Sequence, residues 1–253
     1  MPESHFEVSL VPPDEVRNLR DLRRHELHCQ IFLDSWHGRG WTDSYLLRLD
    51  GRIVGYGLAG GVRADPKDTV TEFYVLHRGA ALPLFRRFLD VSGAPKFEVQ
   101  TNDLLLTLMV YDCAAVIESP VILFHDTITT SLAAPGALFR KVTPDDREQI
   151  VEQKLEPDSE WMLEAQGAPV ATGGILFHYN VPYGDIYMAV AESQRRRGYG
   201  SFFVQELKRT CYEMGRVPAA RCNATNPASR ATLQKAGLLP CARVLVGTFS
   251  GRP

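Results

Sequence analysis

Arg195-Arg196-Arg197-Gly198-Tyr199-Gly200 is the stretch of this chain whose residue types and spacing could do chemistry. Three adjacent guanidinium groups repel one another, so local stability does not account for them; a negatively charged partner does. An apolar run that reads as a strand, residues 185–190, precedes them. A run of helical period follows, with Phe203, Leu207, Cys211 and Met214 on one face. A glycine-containing turn between strand and helix leaves the first helical N–H groups without backbone partners, and those donors with the helix dipole suit phosphate oxygens. Gly198 and Gly200 have no side chains to hold a diphosphate off the backbone. Neighbouring arginines add charge-assisted hydrogen bonds. The plainer alternative is a solvated basic loop whose glycines serve only the turn.

Such a turn needs a sheet to hold it. In the C-terminal half, residues 160–165 and 170–177 read as strands joined at Gln166-Gly167, and residues 217–223 and 243–249 as two more. Asn226-Pro227 starts a helix with asparagine as N-cap and proline in the first turn, and Gly237 ends it. The N-terminal half repeats this order. Residues 45–49 and 53–59 flank the hairpin signal Asp50-Gly51, and residues 70–76 form a third strand. A helix over 82–91, a strand over 96–101 and an apolar helix over 104–114 follow. The shared order reads as a duplicated unit. Its joint is expected in the small-residue stretch 131–137, giving domains at 1–132 and 137–253. The first copy continues after Val75 as Leu76-His77-Arg78-Gly79-Ala80-Ala81, with one arginine and no paired glycines, so only the second is equipped for an anion. The run from Leu104 to Val110 is apolar nearly all round and predicts a buried helix, or equally one that helps bury the two halves against each other.

On these residues the chain resembles the GNAT superfamily, the acyl-CoA-dependent N-acetyltransferases. That family's loop, Arg/Gln-x-x-Gly-x-Gly/Ala after its fourth strand, is matched by Arg195 to Gly200. Its asparagine followed by a helix ending in Lys-x-Gly-Phe is matched by Asn226 through Lys235-Ala236-Gly237-Leu238, with leucine for the phenylalanine. The resemblance is good over 137–249 and rests on element order before about 130. It implies an α/β (mixed α+β) protein of two tandem GNAT-like domains, each a twisted mixed β-sheet flanked by helices, the first degenerate and non-catalytic.

The resemblance further implies that acetyl-CoA, or another short acyl-CoA, lies where the fourth and fifth strands splay apart. Met188, Ala189 and Val190 would give backbone contacts to the pantetheine and acyl carbonyl. Arg195, Arg196, Arg197, Gly198, Tyr199, Gly200 and Ser201 would hold the diphosphate. Asn226 would face the cofactor, a role compatible with its N-cap alternative, and Ser229 would reach it. The implied reaction carries an acetyl group to a primary amine of a small-molecule or protein acceptor. Many members place a tyrosine, the proton donor, where this chain has Leu233. For the base the best candidate is Asp185, with Tyr187 on the same strand face; His178 and Glu164 are lesser candidates. The missing tyrosine leaves a second function open, a non-catalytic acyl-CoA-binding or regulatory protein.

Bulk properties narrow the rest. The 253 residues are 45% hydrophobic and 23% charged with a formal charge of -2, so no global field favours nucleic acid or an anionic membrane. No apolar run approaches the roughly 20 residues of a membrane span. Five scattered cysteines, Cys29, Cys113, Cys211, Cys222 and Cys241, without a CxxC pair, read as reduced thiols of a cytoplasmic protein and not as a metal site. Trp36 to Trp41 reads as a loop packed on the core, and a homodimer is compatible with all of this.

Overall fold

The computed structural model describes residues 5–27, 31–62 and 64–249; Cys29 lies outside them. The chain runs through β1 (Phe6–Val11), α1 (Arg17–Glu26), the one-turn α2 (Ser35–Gly38), β2 (Thr42–Leu49), β3 (Arg52–Gly60), β4 (Thr69–Val75), α3 (Ala81–Ser92), β5 (Lys96–Gln100), α4 (Leu104–Cys113) and β6 (Ala114–Asp126). It then repeats with β7 (Ala137–Lys141), α5 (Arg147–Glu152), β8 (Trp161–Ala165), β9 (Ala168–Leu176), β10 (Tyr183–Val190), α6 (Tyr199–Glu213), β11 (Val217–Asn223), α7 (Pro227–Lys235) and β12 (Leu238–Phe249). Apart from α2 the two series have the same order. This is a mixed α/β fold, and no helix among the described residues is long and apolar enough to cross a membrane.

Two compact units result, and they do not divide at one point. One extends to Val121 and resumes at Ala242; the other is Ile122–Cys241. Strand order is β1-β2-β3-β4-β5-β12 in the first and β6-β11-β10-β9-β8-β7 in the second. Each sheet thus ends on a strand continued from the other half of the chain. Val244 to Thr248 of β12 pair antiparallel with Gln100 to Lys96 of β5. A boundary at 131–137 treats the halves as consecutive pieces, whereas edge complementarity, not chain order, decides which strand completes a ladder. The stretch 131–137 is nonetheless the connection into β7.

In the first unit an aromatic core forms between α3 and the sheet. Phe73 and Phe85 meet edge to face at 4.8 Å, and Phe85 meets Phe249 at 5.7 Å, contacts worth about 0.5–1.5 kcal/mol each beyond area burial. Phe203, Val204, Leu207 and Cys211 of α6 pack on Ile175, Ile186 and Ala220 in the second unit. Met214, the next residue of that stripe, is exposed, because α6 has already ended. Burial pushes the Cys211 thiol up to about 11, which makes it a packing residue. Among the described residues, Cys113, Cys211 and Cys222 are free thiols.

The expectation of a wholly buried α4 is corrected. Leu106, Met109 and Val110 face the core, but Leu104 and Leu108 are 64% and 60% exposed. Nearly uniform hydrophobicity carries no information about which face turns inward. Trp36 packs on the sheet as expected: a Cβ at Gly60 of β3 would come within 2.6 Å of its ring.

Candidate functional site

The site is built on β10. Its parallel register with β11 runs from Tyr183 opposite Val217 to Ile186 opposite Ala220 and stops there. Antiparallel pairing with β9 continues to Val190 opposite Ala171. The β11 edge of β10 beyond Ile186 therefore has no ladder partner, and the two strands part into a fork.

Past Val190 the chain makes a 3-10 turn, Glu192–Gln194, and enters the arginine-glycine loop. Arg196 and Gly198 have φ of 64° and 86°. Glycine takes such a value at no steric cost, a non-glycine residue rarely. Gly198 is the N-cap of the 15-residue α6 and supplies no side-chain cap. The first helical hydrogen bond runs from the Phe202 N–H to the Gly198 carbonyl, 3.1 Å. The N–H groups of Tyr199, Gly200 and Ser201 thus head the helix without an intrahelical acceptor. A Cβ built at Gly198 would meet nothing within 4 Å. At Gly200 it would lie 3.1 Å from Thr232 Cγ2 and 3.3 Å from Val190 Cγ2, so this glycine lets α6 settle close to both β10 and α7.

A cleft of about 770 Å³ opens in front of these N–H groups. Met188, Ala189 and Val190 form one wall, and Arg195, Arg196 and Gly198 to Ser201 form its head. Asn226, Ser229, Thr232 and Lys235 of α7 close the other side. Of the residues expected to touch the cofactor, Arg197 alone does not line the cleft. Asn226 does two things at once: it faces the cleft, and its Oδ1 accepts the Ser229 N–H at 3.0 Å as a helix cap. Leu233 points elsewhere. It is 3% exposed and packs in the core with Phe203 and Leu207, so the position the resemblance gives to a tyrosine lies on the buried side of α7.

Asp185 and Tyr187 are not among the cleft-lining residues. Ile186 packs under α6, so by strand alternation its neighbours Asp185 and Tyr187 point to the opposite face. The Asp185 side chain is 3% exposed, with Oδ2 2.9 Å from His178 Nε2 and 3.2 Å from Arg221 Nε. The Tyr187 hydroxyl lies beside Gly174, where a Cβ would be 3.0 Å from it. Glu164 belongs to a separate ion-pair group: Arg140 donates to it at 2.9 Å and to Asp146 at 2.7 Å. The meeting of His178 and Arg221 with Asp185 is what sequence reasoning missed. Alternation and a parallel register could have brought Asp185 and Arg221 to one face; His178 follows β9 in irregular chain, which no periodicity positions.

The first unit has the same fork but a different filling. β4 pairs with β5 only at Thr69–Lys96 and Val70–Phe97. Glu26, at the end of α1, accepts a hydrogen bond from the Tyr74 hydroxyl at 2.5 Å and pairs with Arg78. Arg78 follows its strand where the second unit has its arginines, and a carboxylate of its own unit already meets its charge. Arg23 likewise pairs at 2.7 Å with Asp103, the N-cap of α4.

Residues 130–238 match the acetyltransferase (GNAT) family. No curated protein matches the chain. Among solved structures, an acetyltransferase of the GNAT family from Colwellia psychrerythraea has a TM-score of 0.73 at 14% identity, covering 96% of this chain and all (100%) of that one. A GCN5-related N-acetyltransferase from Sphaerobacter thermophilus scores 0.61 at 14% identity over 95% and 94% of the two chains. A tandem GNAT protein from the clavulanic acid biosynthesis pathway scores 0.60 at 12% identity over 98% and 100%. At such identities the likeness is one of fold. The class that the family match defines, over residues 130–238, is an acyltransferase. Residues 130–238 carry the GNAT match, to a family that uses acyl-CoA as co-substrate, and the N-terminal unit shares the fold of these neighbours.

Proposed function

We propose that the second unit transfers an acetyl group from acetyl-CoA to a primary amine of a small molecule or protein. The observation that carries this reading is the left-handed Gly198 turn at the head of α6, opening three helical N–H groups onto a cleft that continues along the unpaired edge of β10. The residues fit the group. The loop offers N–H donors and exposed arginines to a diphosphate, with Tyr199, Ser201, Asn226 and Ser229 around it, and Met188 to Val190 offer backbone to pantetheine. The thioester supplies an activated acyl carbon, which the chain must orient towards an amine. Asp185 and Tyr187 stand at the closed end of the fork, away from the loop, where an amine would meet that carbon.

Calorimetry with acetyl-CoA should report one site per chain, because Arg78 in the first unit is already paired with Glu26. Release of free CoA thiol in the presence of lysine, spermidine, kanamycin or a peptide with a free N-terminus then checks transfer. The buried Leu233 favours a second reading, a binder without turnover. Stoichiometric binding with no thiol release from any amine would select that reading, and no binding would sink both.

Arg195, Arg196 and Arg197 are exposed, so their attraction for a polyanion is screened by salt. The Kd should rise roughly threefold or more between about 0.05 M and about 0.5 M salt, as the screening length contracts from above 10 Å to a few ångströms. A flat response would assign the binding to backbone donors alone.

A further inference from the structure

Three charged or titratable groups converge on the sheet face opposite α6. Asp185 comes from β10, Arg221 from β11, and His178 from the segment after β9. Both His178 and Arg221 address the same carboxylate oxygen, Oδ2, at 2.9 Å and 3.2 Å. Asp185 Oδ1 is buried without a hydrogen-bond partner. Within the imidazole, Nε2 is buried 2.9 Å from the carboxylate, yet the His178 side chain as a whole keeps 15% of its surface exposed against 3% for Asp185. The ring stands edge-on to Tyr179, 4.5 Å between centroids, which fixes its plane. One nitrogen therefore lies against a carboxylate, and the exposed part of the ring is away from that nitrogen.

A proton acceptor must reach the nitrogen it deprotonates. Asp185 is engaged by two cationic or donor groups and is 3% exposed, so it is badly placed to meet an incoming amine. His178 lies against Asp185 and is the more exposed of the two side chains. We infer that His178 is the group that takes the proton from the acceptor, with Asp185 as its positioning residue. This inference rests on the acetyl-transfer reading of the same unit. An acceptor arriving as an ammonium gives one proton to neutral His178 Nδ1. The freed nitrogen lone pair forms the N–C bond to the acyl carbon, and the C–S bond breaks with its electron pair leaving on sulfur. The second amine proton passes through solvent to that thiolate, and His178 returns its proton to water. The products are the amide and free CoA thiol.

The test uses the full chain, acetyl-CoA and whichever panel amine the unmodified protein turns over fastest. His178→Gln should lower kcat by about 100-fold, the low end for general-base catalysis, with the acetyl-CoA Kd and the melting temperature unchanged. It should also abolish the acid limb of the pH–rate profile, the part in which protonation removes the acceptor nitrogen. Asp185→Asn should lower kcat less and keep that limb. Full kcat in folded His178→Gln, or a larger loss in Asp185→Asn with the limb removed there instead, would overturn the assignment. An unmodified protein that binds acetyl-CoA but acetylates no amine would overturn the transfer reading, and this inference with it.

Discussion

Replacing Gly198 by valine should abolish acetyl-CoA binding in calorimetry, a rise of at least about 100-fold in Kd, equivalent to about 2.8 kcal/mol. The far-UV spectrum and the cooperative melt should persist. Both halves of this expectation come from one position. Gly198 has φ of 86°, and a Cβ placed there touches nothing within 4 Å. Valine thus causes no clash inside the protein, and its left-handed backbone costs roughly 1–2 kcal/mol, less than the 5–15 kcal/mol that holds a typical domain folded. The open space around the new side chain is the mouth of the cleft. A β-branched group there stands between the ligand oxygens and the N–H groups of Tyr199, Gly200 and Ser201, and it biases the backbone away from the turn that aims them. Wild-type affinity in a folded Gly198→Val protein would remove the loop from the binding site altogether.

The loop could be read from sequence because its signals are local. A strand period, a glycine pair and a helical period fall within thirty or so residues, and the local hydrogen bonds that make the turn depend on little else. For the same reason β2 to β5 and β8 to β11 could be placed to within a few residues. What escaped depends on partners far along the chain. The sequence reading gives Arg17–Glu26 no element, although the structure makes it a helix. Arg20 and Arg23 are in fact buried, because Glu72 and Asp103 wait for them across the fold. The exchange of β6 and β12 between units is also illegible: an apolar strand records that it will be paired, not by which edge. Leu233 is a case where a family position misleads. A helix residue shifted onto the core side cannot serve the cleft, and only packing shows which side that is.

The buried network around Glu72 should be the largest single determinant of stability that lies away from the cleft. Arg20 donates to it through Nε at 3.0 Å and Nη2 at 2.6 Å, the Tyr56 hydroxyl donates at 2.6 Å, and Arg23 lies 3.3 Å away. Burial opposes the charge on Glu72, but Arg20 and Arg23 outweigh it and hold the carboxyl down at about 2. Glu72→Ala strands two buried guanidinium groups and should cost about 3–5 kcal/mol of unfolding free energy. The pH dependence has a definite sign. Because the folded-state value is depressed, the stabilisation is complete above the ordinary carboxylate range and is lost as pH falls from about 4.5 towards 2. Other carboxylates titrate in that window too, so the informative quantity is the difference in urea midpoint between the unmodified protein and Glu72→Gln. That gap should be wide at pH 6 and should shrink steadily as acid is added. A gap that stays constant down to the lowest pH would mean that Glu72 is already neutral in the folded protein. The two arginines would then have to draw their balance from Asp34 and Asp103, which also pair with them.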